Sequence, residues 1–288
     1  MQPPEVDGLA RRHVPGAGPV RLLRVGTGLG SATYRVERDG AAYALRVAPG
    51  LGRGEGFDPR WEFAVRELAG GAGVGPAVER ADPAAGILVS RWVEGDSWAS
   101  VDAADPARLA AVAALLRAIH ALTAPQPARA IGVADWIAHY QHAVGGAPAL
   151  VAREVAALRA TAARRLRALA AAGAVEPVLC HGDLHRLNLV ETAAGLVALD
   201  WEYAHVTDPF WDVAGWSCAN DLAEPARRVL LEGYLGCAPT AGEWARFLEI
   251  AWLYDYIGLL WSELYLRQAG AADDTEALAR AARIVARL

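Results

Sequence analysis

One stretch of polar residues between short apolar segments constrains this chain more than any other. Residues 181–188 read HGDLHRLN, which has the form H-x-D-x-x-x-x-N, and Asp200 follows twelve residues after Asn188. The apolar segments on either side are typical of short strands, with a turn at residues 192–195. The pattern therefore predicts a tight loop between Asp183 and Asn188, with Asp200 at the end of the next strand.

This arrangement indicates phosphoryl transfer. Asp183 would orient an attacking hydroxyl and accept its proton, while Asn188 and Asp200 would supply the hard oxygen ligands that hold Mg²⁺ against nucleotide phosphates. The catalytic loop of protein kinases has the same five-residue step from Asp to Asn. A polar turn with a capping aspartate is the alternative, but it requires four polar residues to fall at these spacings by accident.

Composition narrows the class of protein. At 288 residues and 54% hydrophobic, with many alanines, the chain is expected to be globular and rich in helices. A net charge of −5 does not favour a nucleic-acid partner. The three cysteines suggest no disulfide framework, no signal peptide is evident, and no apolar run predicts a membrane span. A cytoplasmic location without a membrane partner is therefore the expectation.

The N-terminal part has the pattern of an antiparallel sheet. Residues 1–18 are rich in Pro and Gly and are predicted to be irregular. Strands are predicted at residues 20–25, 33–38 and 41–47. The Asp39-Gly40 pair joins the last two strands and is a strong hairpin signal.

Phosphate-binding candidates lie on this predicted sheet. The turn at residues 26–31, GTGLGS, offers Gly28 and Ser31 for close approach of backbone N–H groups to phosphates, although a plain hairpin turn fits equally well. The turn is neither a Walker A loop nor a Rossmann fingerprint, because no Lys-Ser/Thr and no helix follow. Arg46 on the third strand would reach the same phosphates, and a surface charge on an edge strand is the alternative.

A helix predicted at residues 60–68 offers a partner for Arg46. Glu62 is favoured over Glu67, because Glu67 lies near the glycine-rich end of the helix, and a solvated helix acid is the alternative. A second glycine-rich segment at residues 50–56 is predicted to be a loop.

The chain is predicted to divide near residue 95. Residues 86–95, GILVSRWVEG, have the pattern of a strand running into a linker, and a polar, turn-rich segment follows. The predicted parts are residues 1–95, which would bind nucleotide, and residues 96–288, which would be helical. In a two-lobed kinase the linker is the hinge, where backbone groups at Ser90, Arg91 and Val93 would bind adenine.

The C-terminal part is predicted to be mainly helical. Asp105-Pro106 and Asp208-Pro209 are favourable helix starts. Further helices are predicted at residues 135–143, 148–172 and 241–268. Asp212 could hydrogen-bond to the catalytic loop or simply favour the start of its helix.

Five segments match the motifs of one known family. They are GLGSATYRV at residues 28–36, HGDLHRLN at 181–188, DWEYA at 200–204, DPFWD at 208–212 and WSELYLRQ at 261–268. Through them the chain resembles the choline/ethanolamine kinase family, including bacterial choline kinases and thiamine kinases, within the aminoglycoside phosphotransferase superfamily. The resemblance covers most of the chain.

The resemblance implies a two-lobed, protein-kinase-like α+β fold, with a small N-terminal antiparallel sheet and one helix, and a larger, mainly helical C-terminal lobe. It implies ATP as the phosphoryl donor and Mg²⁺ as the metal. Asp183 would be the catalytic base, and Arg46 would be the nucleotide-binding cation. Asn188 and Asp200 would be metal ligands, with Glu202 bound to the metal or close to the substrate.

Candidate acceptor-binding residues are aromatic. The last predicted helix is dense in aromatic residues, including Tyr256 and Trp261, and aromatic faces bind quaternary ammonium groups, although such a stripe is equally typical of a core. The resemblance implies a cation pocket, for which Tyr203 and Trp261 are candidates. Leu264 departs from the pattern, because choline kinases have a second Trp there, and DWEYA is closer to thiamine kinases.

Three functions are compatible with these observations. The first is an ATP- and Mg²⁺-dependent kinase for a small alcohol, with cationic acceptors such as choline, ethanolamine or thiamine favoured. The second is an aminoglycoside-type antibiotic phosphotransferase, which would need several carboxylates where this chain offers aromatics. The third is a nucleotide-binding pseudokinase that acts as an interaction module. The sequence leaves open whether the protein is a monomer or a homodimer.

Overall fold

A computed structural model describes residues 3–27, 31–48, 59–145, 152–267 and 274–288. The chain divides into two compact units. The first unit contains Met1–Val101, Ala121–Ala128 and Arg186–Ala204, and the second contains Asp102–His120, Arg129–His185 and His205–Leu288. The functional division into residues 1–95 and 96–288 stays a prediction.

The first unit is built on a five-stranded antiparallel sheet with the order β1-β2-β3-β5-β4. Its strands are β1 Arg21–Thr27, β2 Ala32–Arg38, β3 Ala41–Val47, β4 Val78–Asp82 and β5 Ile87–Arg91. Asp39 and Gly40 adopt φ angles of 50° and 77°, as a two-residue hairpin turn with right-handed strand twist requires. The predicted hairpin is confirmed, and a helix, α2 Pro59–Gly71, packs against β4.

The prediction that residues 1–18 are irregular was wrong for residues 3–13, which form a helix, α1 Pro3–His13, whereas residues 14–18 lie outside regular elements. Val6, Ala10 and Val14 recur every four residues and are buried with Val36 and Leu45 of the sheet. Burial of this apolar face outweighs the weak helix propensity of the segment. Tertiary packing therefore decides the structure of these residues.

A second, three-stranded sheet belongs to the first unit. It pairs β6 Asp96–Ser97, β8 Leu189–Thr192 and β9 Gly195–Ala198 in the order β6-β8-β9. Short 3₁₀ turns at Trp98–Ser100 and Arg186–Asn188 lie beside it. The predicted strands and the turn at residues 192–195 are confirmed, and the β8–β9 hairpin carries the second half of the motif.

The second unit is mainly helical, as predicted. Its helices are α3 Pro106–His120, α4 Val133–Val144, α5 Ala152–Ala171, α6 Phe210–Ala219, α7 Glu224–Leu235, α8 Ala241–Leu266 and α9 Thr275–Arg287. A two-stranded sheet joins β7 Val178–Cys180 to β10 His205–Thr207. Asp105 caps α3 by accepting hydrogen bonds from the backbone of Ala107 and Arg108. None of the described helices is long and apolar enough to cross a membrane.

Candidate active site

Arg46 forms a buried ion pair in the first unit. Its guanidinium donates to Glu62 of α2, which confirms the predicted pairing, and to Oε2 of Glu202 at 2.8 Å. Burial alone would lower the pKa of Arg46. The charges of Glu62, Asp200 and Glu202 have the larger combined effect and raise the pKa above its ordinary value, so the guanidinium stays protonated. The predicted phosphate cation is thus held in place by two carboxylates.

Arg66 extends this network, although sequence reasoning did not identify it. Its Nε donates to Oε1 of Glu62 at 2.8 Å and its Nη2 to Oδ1 of Asp200 at 3.2 Å. The signal was present, because Arg66 lies four residues after Glu62 on one helix and such pairs face each other. The network of Arg46, Glu62, Arg66, Asp200 and Glu202 is called the arginine–carboxylate network below.

The predicted metal ligands Asn188 and Asp200 lie at the same end of the β8–β9 hairpin. The backbone N–H of Leu199 donates to the carbonyl of Asn188 at 2.8 Å, just beyond the Leu189–Ala198 pair of the ladder. The side chains at this end offer amide and carboxylate oxygens, which are the donors that Mg²⁺ prefers. The residues present therefore fit an Mg²⁺ ion.

The backbone at Asp200 is held in a conformation that few residues other than glycine adopt. Asp200 has a φ angle of 60°, a left-handed conformation that costs a non-glycine residue about 1–2 kcal/mol. The next residue, Trp201, is fully buried and donates its Nε1–H to the carbonyl of Ala198 at 2.9 Å. Trp61 of α2 donates to the carbonyl of Ala204 at 2.7 Å. These two indoles hold the backbone of residues 198–204 in place, so the role of Trp201 is structural.

Glu202 and Tyr203 follow Asp200 in the same turn, and both are partly buried. Burial raises the pKa of Glu202, the charge of Asp200 adds to this shift, and Arg46 opposes it. Glu202 therefore lies in an environment in which added positive charge is favourable. Its role at the metal, and that of Tyr203 at the acceptor, stay predictions.

The remaining predicted nucleotide residues lie on or beside the five-stranded sheet. Gly28 falls outside the described residues, as does the segment 50–56, whereas Ser31 directly precedes β2. Ser90 is buried on β5 opposite Ala44. The side chain of Arg91 is engaged at the surface, where it pairs with Glu79 and lies 4.9 Å from the ring centre of Tyr43. Val93 follows β5, and adenine binding by this segment stays a prediction.

In the second unit, Asp212 holds the loop that carries Asp183. The backbone N–H groups of His181 and Gly182 donate to the two carboxylate oxygens of Asp212 at 2.7 and 2.9 Å. Of the two alternatives left open for Asp212, the structure shows the hydrogen bonds to the loop. Gly182 has a φ angle of 85°, which only glycine adopts without strain. The loop backbone next to Asp183 is therefore fixed from α6.

His120 closes the other side of Asp212. Its Nε2 lies 3.2 Å from Oδ2 of Asp212 and its Nδ1 lies 2.8 Å from the hydroxyl of Tyr234. Cys180 completes a buried group whose ligand atoms, with those of His120 and Asp212, lie within 4.8 Å of one another. Both Asp212 oxygens already accept backbone hydrogen bonds, and burial raises the pKa of the Cys180 thiol. This cluster is therefore structural.

Asp183 itself is accessible, and its charge acts on two tyrosines of the second unit. Its side chain is 37% exposed, and its Oδ2 lies 3.7 Å from Nε2 of His185. Burial raises the pKa of Tyr140 to about 12, and the charge of Asp183 adds to that shift. Burial, and then the charge of Asp183, likewise raise the pKa of Tyr254. No local signal marks these tyrosines, because they come from α4 and α8.

The two aromatic residues predicted on α8 have different surroundings. Tyr256 is fully buried, stacks on Trp252 and accepts a hydrogen bond from Gln141 at 3.0 Å. Trp261 is partly buried and stacks on Tyr265 with a ring separation of 5.3 Å. Tyr256 is thus placed in the core, and its predicted role in substrate binding remains a prediction.

A cation of the chain itself covers Trp261. The guanidinium carbon of Arg280 on α9 lies 4.4 Å from the ring centre of Trp261. Although the side chain keeps contact with solvent, desolvation lowers the pKa of Arg280, and the charge of Asp183 opposes that shift. The ring therefore offers a face on which a cation already sits, within the electrostatic reach of Asp183.

Comparison with known proteins identifies the family. Residues 21–250 match the family model described as "Phosphotransferase enzyme family" (APH). No curated protein sequence matches the chain.

Solved structures share the fold. The chain is similar to a choline/ethanolamine kinase family protein from Mesorhizobium loti, with 23% identity, a TM-score of 0.75, and 100% of this chain and 93% of that chain covered. It is similar to choline kinase LicA from Streptococcus pneumoniae, with 20% identity, a TM-score of 0.73 and 99% of both chains covered.

A similar fold also occurs in an antibiotic phosphotransferase. Spectinomycin phosphotransferase APH(9)-Ia, in complex with ADP and spectinomycin, is 13% identical with a TM-score of 0.66, and 99% of this chain and 97% of that chain are covered. The predicted α+β, protein-kinase-like fold is thereby confirmed. Since the family model covers most of the chain, this protein belongs to the phosphotransferase enzyme family.

Proposed function

We propose that this protein is an ATP- and Mg²⁺-dependent kinase that phosphorylates the hydroxyl group of a small alcohol, with cationic acceptors such as choline, ethanolamine and thiamine favoured. The observation that carries the proposal is the arginine–carboxylate network, which joins the predicted phosphate cation Arg46 to the predicted metal ligand Asp200 through Glu62 and Arg66. The complexes of neighbouring proteins with AMP and ADP support a nucleotide as the donor.

The residues divide the work by chemistry. Arg46 would neutralise charge on the transferred phosphoryl group, and Gly28 and Ser31 would bring backbone N–H groups to the phosphates. Asn188 and Asp200 would hold Mg²⁺, with Glu202 beside them, and the metal supplies charge neutralisation at the phosphates. Asp183 would orient the acceptor hydroxyl and accept its proton. The adenine would bind along Ser90, Arg91 and Val93.

The acceptor proposal draws on the aromatic surface of the second unit. Trp261 and Tyr265 form a stacked pair, and Arg280 shows that the Trp261 face accommodates a cation at 4.4 Å. Tyr203 is a further candidate on the acceptor side. The resemblance of DWEYA to thiamine kinases keeps thiamine beside choline among the leading acceptors.

A coupled assay of ADP release tests the proposal. The panel contains choline, ethanolamine, thiamine, homoserine, kanamycin and spectinomycin, each with ATP and Mg²⁺. Asp183→Asn is expected to lose at least about 100-fold in turnover, the scale of a general base, while ADP binding is retained. Asp102→Asn, at an exposed turn position in the same unit, is the matched control. Wild-type turnover by the Asp183→Asn variant would contradict the role of Asp183.

An antibiotic phosphotransferase is the second candidate, favoured by the similarity to spectinomycin phosphotransferase. Activity on kanamycin or spectinomycin, with resistance in a host that expresses the protein, would support it over the small-alcohol proposal. ADP binding without turnover on any acceptor of the panel would instead support the pseudokinase hypothesis.

A further inference from the structure

A cavity of about 360 Å³ lies within the second unit, where α8 meets three neighbouring helices. Arginines from α5, α7 and α9 and four residues of one face of α8 line it: Arg165, Arg227, Arg287, Leu248, Ala251, Trp252 and Asp255. Trp261 follows Trp252 by nine residues, which is about two and a half helical turns, so the two indoles lie on opposite sides of α8. The cavity is therefore separate from the aromatic surface proposed for the acceptor.

Arg287 and Asp255 form one wall of the cavity as a closed pair. Nε and Nη2 of Arg287 donate to the two carboxylate oxygens of Asp255 at 2.9 and 2.7 Å, and Nη1 pairs with Asp221. Two parallel hydrogen bonds of this kind are the strongest form of an arginine–carboxylate contact. Since both oxygens of Asp255 accept from a guanidinium, the negative charge of this carboxylate is compensated where it faces the cavity.

Arg227 of α7 brings a positive charge that no such pair compensates. Its Nε donates to the carbonyl of Leu222 at 2.7 Å, which fixes the partly buried side chain. Within the described part of the chain, the two Nη groups of Arg227 make no hydrogen bond and no ion pair. The outer edge of this guanidinium is thus available to a ligand.

Arg165 of α5 contributes a second unsatisfied donor. Its Nη1 pairs with Glu249 at 3.0 Å, and its guanidinium carbon lies 4.8 Å from the ring centre of Trp252. Its Nε is buried and has no hydrogen-bond partner in the ranges that the structure describes. A buried donor without a partner costs free energy, and such groups in proteins usually bind water or a ligand.

The chemistry of the walls indicates the class of ligand. Guanidinium groups bind the oxygens of phosphate and carboxylate groups through paired hydrogen bonds. Leu248 and Ala251 add an apolar wall beside them. A volume of about 360 Å³ lies near the lower end of the range of about 300–1,000 Å³ for small-molecule sites. A bare ion would leave most of this space and the apolar wall unused.

We propose that this cavity is a binding site for a small organic anion. Its phosphate or carboxylate group would be held by Arg227 and Arg165, and its carbon skeleton would contact Leu248 and Ala251. The inference is independent of the proposed function, because none of these residues belongs to the nucleotide, metal or acceptor groups described above.

Calorimetric titration of the full chain with glycerol 3-phosphate, and separately with succinate, tests the inference without relying on turnover. The variant Arg227→Gln removes the uncompensated charge and is expected to weaken binding of the bound probe about 10-fold, because hydrogen bonds to charged groups are the stronger ones. Arg167→Gln, at an exposed position on α5, removes the same charge and is the matched control. Its affinity is expected to match that of the wild type.

The two probes identify the anionic group, because saturable binding of one of them alone would assign phosphate or carboxylate. Wild-type protein that binds neither probe saturably would overturn the site, as would equal weakening in Arg227→Gln and Arg167→Gln. Binding that ADP abolishes and that Arg227→Gln leaves unchanged would place the anion at the nucleotide site instead and would also overturn the inference. If Arg227→Gln does not fold, because the bond to the Leu222 carbonyl is lost, Arg165→Gln is expected to weaken binding in the same way.

Discussion

Each unit contains a buried carboxylate that organises the predicted site residues within that unit, and the two carboxylates differ in their partners. Glu62 in the first unit binds two arginine side chains, Arg46 and Arg66. Asp212 in the second unit binds two backbone N–H groups and the imidazole of His120. Glu62 therefore positions charged side chains, whereas Asp212 positions the backbone of a loop.

The difference indicates what each unit is built to receive. The Glu62 network continues to Asp200 and Glu202, whose side chains are 47% and 34% exposed, so it ends in groups that can bind further cations. The Asp212 cluster ends in Tyr234 and Cys180, and the side chain of Asp212 is 1% exposed. An open charged network suits a metal–nucleotide, whereas a closed cluster suits a loop whose shape must not change.

Asp212→Asn should have the largest effect on stability. The amide can accept from only one of the two loop N–H groups through its oxygen, and it removes the charge beside His120. Breaking a buried interaction of this kind costs about 3–5 kcal/mol, measured as the free energy of unfolding in urea. Asp221→Asn, which removes an exposed ion pair with Arg287, is the control and should cost about 1 kcal/mol or less. Equal costs for the two variants would break the comparison.

The pH dependence sharpens the same comparison. Burial alone would raise the pKa of Asp212, but the hydrogen bond from His120 and the charges of His120 and His181 lower it below the ordinary value of 3.8. An aspartate with a lowered native pKa stabilises the fold fully above the unfolded pKa, and this contribution is lost as pH falls through the native pKa. Below pH 3.8, the free energy of unfolding should therefore fall more steeply in wild type than in Asp212→Asn. Parallel curves of unfolding free energy against pH for the two proteins would contradict the lowered pKa of Asp212.

Glu62→Gln should have a smaller effect on stability but a clear one on nucleotide binding. The amide oxygen can still accept from Arg46 and Arg66, so the loss is that of charge-assisted hydrogen bonds, about 1.5–3 kcal/mol in the free energy of unfolding. ADP affinity, measured by calorimetry, should fall because a neutral amide holds Arg46 less firmly than the carboxylate does. Glu67→Gln, an exposed acid on the same helix, should leave both quantities unchanged. An unchanged ADP affinity in Glu62→Gln would show that the arginine–carboxylate network does not contribute to nucleotide binding.

Arg280→Ala should have the smallest effect of these substitutions. The effect should concern only acceptor binding by the second unit. Removing the guanidinium uncovers the Trp261 face, so a cationic acceptor that uses this face should bind more tightly. A cation–π contact at a partly exposed site is worth about 0.5–1 kcal/mol, which is a few-fold decrease in KM for the acceptor. The KM for ATP is the internal control and should not change. A weaker acceptor affinity would instead assign Arg280 to acceptor binding.

Local sequence patterns predicted those features of the fold and of the site that depend on residues close together in the chain. The Asp39-Gly40 hairpin, the β8–β9 hairpin with Asn188 and Asp200 at one end, and the capped start of α3 all depend on neighbouring residues. Helix α1 was missed because its structure depends on burial against the sheet. The contact between Arg66 and Asp200 was not predicted because the two residues lie 134 positions apart in the chain.

The sequence by itself predicted that this protein is a phosphotransferase, and the family model agrees. The spacing from Asp183 to Asn188 and Asp200 indicates phosphoryl transfer because a tight loop and a short hairpin place those groups by local geometry alone. The tertiary structure decided which charges hold them, since Glu62, Arg66 and Asp212 come to their partners from distant helices. It also decided that Tyr256 is core whereas Trp261 carries a cation, because residues on one helix share a periodicity but differ in what packs against them.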